Sequence, residues 1–73
     1  MTTTQNAIVQ VLREEVRLEF EDLQRSVEAL LGEQLDDTVF YEDHLEPLVN
    51  EGTVTESYEE DYDYETARTF YSI

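Results

Sequence analysis

Apolar side chains recur at helical spacing as far as Asn50 and then alternate with polar ones beyond Gly52, so this chain must build helices first and a sheet last. The middle of the chain carries the clearest helical stripe. Leu23, Val27, Leu30 and Leu31 stand at i, i+4, i+7 and i+8. Gly32 follows where a left-handed C-terminal cap belongs, and Glu21 and Asp22 occupy the first turn, where the helix dipole favours carboxylates. These signals predict a helix over about 21–31.

Before it, Ala7, Ile8, Val11, Leu12 and Val16 form one apolar stripe, with Thr3 or Thr4 available as N-cap. This predicts a helix over about 4–15. The five residues Val16-Arg17-Leu18-Glu19-Phe20 alternate, and read as the helix end or as a short strand. A third helix is predicted over about 38–50. Tyr41, Leu45, Leu48 and Val49 form its stripe, Asp36 or Asp37 is the cap, and Pro47 removes an N–H that the carbonyl of Asp43 would accept. That loss predicts a kink or a late helix start. After Gly52, Val54 opens a strand, Glu59-Glu60-Asp61 reads as a hairpin tip, and Ala67, Thr69, Tyr71 and Ile73 alternate with Arg68, Phe70 and Ser72. A two-stranded hairpin over about 53–73 is marginal alone and must lean on the helices.

The composition limits what this arrangement can do. There is no cysteine, so neither disulfides nor thiolate metal sites contribute, and the core rests on apolar side chains alone. Leu, Ile, Val and Phe supply 20 of the 73 residues, enough for one small core. Nineteen Asp and Glu face four Arg and no Lys, a net charge of −15. Such charge destabilises a compact state in dilute buffer, whereas at 1 M salt the Debye length shrinks to about 3 Å and the repulsion is largely screened. The acids are spread over the whole chain rather than gathered in a tail, which favours adaptation to molar salt over a chain built to bind a basic partner or to mimic DNA. The N-terminus lacks a basic segment followed by an apolar run, and no apolar stretch approaches the ~18 residues of a membrane span. The expectation is a cytoplasmic protein with no membrane association.

Helix, short strand, helix, helix and hairpin in that order, together with two motifs, resemble the winged-helix superfamily. His44-Leu45-x-x-Leu48-x-x-x-Gly52-x-Val54 is similar to the end of a third helix feeding a wing: two leucines pack inward, the glycine ends the helix and the valine opens the first wing strand. Arg68-Thr69-Phe70-Tyr71-Ser72-Ile73 is similar to the last wing strand. The resemblance implies an α+β winged helix, with three helices, a C-terminal two-stranded wing and the option of a short third strand after helix one. It further implies that the third helix enters the DNA major groove and that the wing touches the backbone or minor groove. The contact residues implied are Thr38, Phe40, Glu42, Asp43 and Glu46 on the helix, and Ser57, Tyr58, Tyr62 and Tyr64 on the wing.

None of these implied contacts is basic, whereas phosphate recognition ordinarily rests on Lys and Arg. Two roles therefore stand side by side. One is DNA-associated transcriptional regulation at high salt. The other is a protein-interaction module whose acidic wing addresses a basic partner. A homodimer is compatible with either. The arginines are expected to pair with neighbouring acids, Arg17 or Arg25 with Glu21, and Arg13 and Arg17 stand at i, i+4 on helix one.

Catalysis is not expected. Serines occur at 26, 57 and 72 without a glycine elbow, and His44 is the single histidine. Asp61-x-Asp63-x-Glu65 lacks the glycine and the distal glutamate of a calcium loop, so it reads as a solvated tip. No cofactor is implied. The aromatics of the hairpin offer one face to the core and a second to a partner.

Overall fold

A computed structural model describes residues 1–61 and 66–73 of the chain. Three helices pack on one face of a three-stranded antiparallel sheet. Helix α1 (Thr3–Glu15) begins one residue earlier than its apolar pattern implies, because Thr2 and not Thr3 or Thr4 is its cap. The Thr2 hydroxyl accepts from the Gln5 N–H at 3.0 Å and the Gln5 side chain accepts from the Thr2 N–H at 2.9 Å. This reciprocal pair satisfies two otherwise orphaned donors. Thr4 is left free to turn inward, and it is buried.

Val16 ends α1 in an unexpected way. Its φ is 67° and its ψ −55°, a region that a β-branched residue rarely enters, and its side chain leaves the stripe to stand 72% exposed. The abrupt turn delivers the chain into strand β1 (Arg17–Glu19). The third strand that the alternation allowed is therefore present.

Helix α2 (Phe20–Leu31) ends as expected on Gly32, whose φ of 71° is the left-handed cap. Leu23 and Val27 are fully buried, Leu31 is half-buried, and Leu30 turns out to solvent at 47% exposure. The third helix is built in three consecutive pieces: α3 (Asp37–Val39), a π-helical stretch (Phe40–Leu45) and α4 (Glu46–Asn50). In the middle piece the Glu46 N–H bonds to the carbonyl of Tyr41, five residues back. The widened turn comes just before Pro47, which occupies the first turn of α4, where a missing N–H is tolerated. The interruption foreseen at Pro47 thus takes the form of a π-bulge.

Strands β2 (Thr55–Asp61) and β3 (Thr66–Ser72) pair antiparallel, and β1 pairs with the other edge of β3, giving the order β1-β3-β2. Glu59-Glu60-Asp61, expected at the hairpin tip, instead belong to β2 opposite Arg68, Ala67 and Thr66. Asp63 and Glu65 of the acidic motif lie outside the described residues. The core joins Ile8 and Leu12 of α1, Leu23 and Val27 of α2, Phe40, Leu45 and Leu48 of the third helix, Val54, and Tyr71 of β3. Phe20, the first residue of α2, is half-buried and packs against this core, with ring centroids 5.7 Å from Phe40 and 6.2 Å from both Tyr41 and Tyr71. One cluster thereby ties all three helices to the sheet.

Candidate nucleic-acid interface

The connection between α2 and the third helix is fixed by two polar side chains one helical turn apart on α2. The Gln24 amide, buried, donates to the Leu35 carbonyl at 2.9 Å and to Asp37 Oδ1 at 2.7 Å. Glu28 accepts from the Leu35 N–H at 2.7 Å. Asp36 caps the third helix, accepting from the N–H groups of Thr38 and Val39 at 3.0 and 3.1 Å. Sequence reading missed Gln24 and Glu28. Their i, i+4 spacing beside the Leu23–Val27 stripe is the signal that marks them as inward-leaning.

Far along the same helix, the N-terminus of α1 adds a second tether. Gln5 donates to the His44 carbonyl at 3.2 Å, and the Thr2 hydroxyl lies 3.1 Å from His44 Nδ1. His44 is thus a half-buried linker.

With its axis held this way, the third helix exposes Thr38, Glu42, Asp43 and Glu46, as the resemblance implies. Phe40 is a correction. It was expected on this outer face, yet it is completely buried and the largest side chain of the core. In an unbroken α-helix, residues five apart diverge by about 140°, which would separate Phe40 from Leu45. The π-helical stretch swings Phe40 round to the same side as Leu45. Val39, 46% exposed, adds an apolar group to the outer face instead.

The wing faces are also resolved. Tyr58 lies with Glu56 on the side of β2 that meets the helices, whereas Ser57 lies on the opposite side with Glu59. Tyr58 is nevertheless 68% exposed. Tyr62 and Tyr64, the other wing residues implied, lie outside the described residues.

Where the third helix meets the wing, three tyrosines converge on one carboxylate. Tyr71 of β3 donates to Glu56 Oε2 at 2.8 Å, Tyr41 of the third helix approaches the same oxygen at 3.4 Å, and Tyr58 donates to Oε1 at 2.5 Å. All three phenols are held above their ordinary pKa of 10.0. Burial is the main cause at Tyr71 and Tyr41, with the Glu56 carboxylate adding to it, while at Tyr58 the hydrogen bond to Glu56 leads. The group therefore keeps one charge, on Glu56, shared among three neutral donors.

The outer sheet face gathers two arginines that the sequence places far apart. Arg17 lies in β1, not on helix one with Arg13; its guanidinium rests 3.9 Å above the Phe70 ring and bonds Glu59 at 2.6 Å. Arg68 pairs with Glu19 at 3.5 Å, and Arg25 with Asp22 at 3.8 Å. Pairing with nearby acids is as expected, but the partners are not Glu21. Folding over the sheet selects the partners of Arg17 and Arg68, whereas Arg25 and Asp22 are an i, i+3 pair on α2.

No protein-family model matches the chain, and no curated protein matches it in sequence. A solved structure does: RosR of H. salinarum, from crystals grown in NaBr, with a TM-score of 0.79 and 30% sequence identity over the whole of this chain. The fold is a winged helix. This chain spans 60% of the length of the RosR chain, so the likeness covers one part of that protein. Among the described residues, no helix is long and apolar enough to cross a membrane.

Proposed function

We propose that this chain is the DNA-associating winged helix of a transcriptional regulator that works at molar salt in the cytoplasm, with no catalytic role. The observation that carries the reading is the likeness to H. salinarum RosR, a winged-helix-type regulator from a halophile context, over the whole of this chain and 60% of the RosR chain. The docking surface is Thr38, Val39, Glu42, Asp43 and Glu46 on the third helix, with Ser57 and Tyr58 on the wing.

That surface works by uncharged and base-edge contacts. Carboxylates accept from the cytosine N4 amino group, and Thr38 and Val39 offer methyl groups to thymine. Molar salt removes the repulsion between the acids and the phosphates, since the screening distance falls to about 3 Å at 1 M. The two arginines on the sheet are already paired with Glu59 and Glu19, so phosphate neutralisation contributes little.

A specific observation favours a second reading. Glu42, Asp43 and Glu46 all stand exposed on a third helix without a single Lys or Arg, a surface complementary to a basic protein. Titrating the chain with labelled duplex DNA and with polylysine, in dilute and in molar KCl, separates the two. The regulator reading expects duplex binding in molar salt and no stable polylysine complex there. Tight polylysine binding in dilute salt, with no duplex binding at any salt, would establish the interaction module instead.

A further inference from the structure

The Glu56 cluster has more order than a wing needs merely to fold. Its hydroxyls come from three separate elements, the third helix, β2 and β3, and meet on one side chain of β2. Two of the three tyrosines are part of the interior: Tyr71 is 3% exposed and Tyr41 is half-buried against Phe20. Tyr58 differs. Its ring stands in solvent while its hydroxyl is tied to Glu56. A long aromatic side chain on an exposed strand ordinarily samples several rotamers, and ordering it on binding is unfavourable. Here the tether removes that freedom beforehand.

We infer that Glu56 is a positioning residue that locks the wing against the third helix and aims the Tyr58 ring at the deoxyribose edge of bound DNA. The inference rests on the regulator reading above. Its chemistry follows from proton bookkeeping. A phenol has one proton to donate, and Tyr58 gives it to Glu56. The hydroxyl is therefore not a phosphate donor while the tether holds, and the carboxylate beneath it disfavours a phosphate at that point. What remains is the flat, uncharged ring face. Deoxyribose and the exposed edge of a base are the uncharged parts of a duplex, and an aromatic face suits them at any ionic strength. In a chain of net charge −15 such a contact avoids the electrostatic penalty that a charged one would meet.

The test uses the full chain in molar KCl with a random-sequence duplex pool. Tyr58→Ala is expected to weaken binding about tenfold, the scale of burying part of an aromatic side chain, while the dependence of affinity on salt and the melting temperature stay as in the parent. Tyr58→Phe and Glu56→Gln, which keep the ring but loosen its tether, should each weaken binding by less than Tyr58→Ala. Parent-like binding by Tyr58→Ala overturns the inference and leaves the regulator reading standing, as does a loss that comes with an altered salt dependence. Should Glu56→Gln fold poorly, the solvent-exposed Tyr58 variants decide alone. A parent chain that binds no duplex at any salt defeats the regulator reading itself, and this inference falls with it.

Discussion

The helical end of the molecule and the wing are held together by different physics. Around Phe40 the third helix meets α1 and α2 through apolar groups that are wholly buried: Ile8, Leu12, Leu23, Leu45 and Leu48. Among the described residues, the wing contributes Val54 and Tyr71 to that core and is further tied by polar links, the tyrosines on Glu56 and the Arg17 and Arg68 pairs. Apolar packing is strengthened by excluded salts, whereas exposed ion pairs are weakened by screening. On the proposed regulator reading, the third helix would be anchored in the salt-tolerant part, while a carboxylate shared by three phenols would orient the wing.

The contrast is sharpest at Phe40. Phe40→Ala should destabilise the fold by about 3–5 kcal/mol, comparable to everything a domain of this size retains. Loss of the cooperative circular-dichroism transition would record it; a melt within a few degrees of the parent would mean that the core is not centred there. At the wing the corresponding change is Glu56→Ala, which strands the buried Tyr71 hydroxyl. It should cost about 2 kcal/mol, read from urea denaturation.

The same cluster predicts an alkaline limit. Because the tyrosines are held above the ordinary phenol value of 10.0, the folded state keeps protons that the unfolded chain releases. Their stabilisation is complete below pH 10.0 and is lost as pH rises beyond it. Thermal melts across that range should fall together with tyrosine ionisation seen by ultraviolet absorbance. Glu56→Gln should shift that ionisation to lower pH, since the neighbouring charge is gone.

Smaller effects lie between the two regions. Val16→Gly relieves the positive φ at the junction of α1 and β1, and should stabilise the fold by up to about 1 kcal/mol, strain relief being partly offset by the greater freedom of glycine in the unfolded chain. A destabilised variant would mean that the Val16 backbone is not strained. Arg68→Ala, which removes an exposed pair with Glu19, should change stability by less than about 1 kcal/mol and by still less in molar salt.

Much of the architecture could be read from short-range pattern. The stripes of α1 and α2, the glycine cap at Gly32, the strand around Leu18 and the alternation that buries Tyr71 all depend on neighbours within a turn or two. The misplacement of Phe40 has a definite cause: a π-bulge changes the helical phase, and a 3.6-residue template cannot register it. Val16 escaped for a similar reason, since nothing in a valine announces a positive φ. The candidate interface was legible as a set of exposed acids on the third helix. Its internal bracing was not, because Gln24 with Asp37, Tyr41 with Glu56 and Arg17 with Glu59 join residues brought together only by the tertiary fold. Likewise the faces of Ser57 and Tyr58 could be separated from each other, but which of them turns toward the helices depends on the register with β3.

The central claim is that an acidic helix-and-wing surface grips DNA without neutralising phosphates. The salt dependence of duplex affinity, followed by fluorescence anisotropy from dilute to molar KCl and drawn on logarithmic axes, tests it most directly. A slope that is flat or rises with salt is the predicted result. A steep fall with salt, the mark of cations released from phosphates by a basic surface, would contradict it.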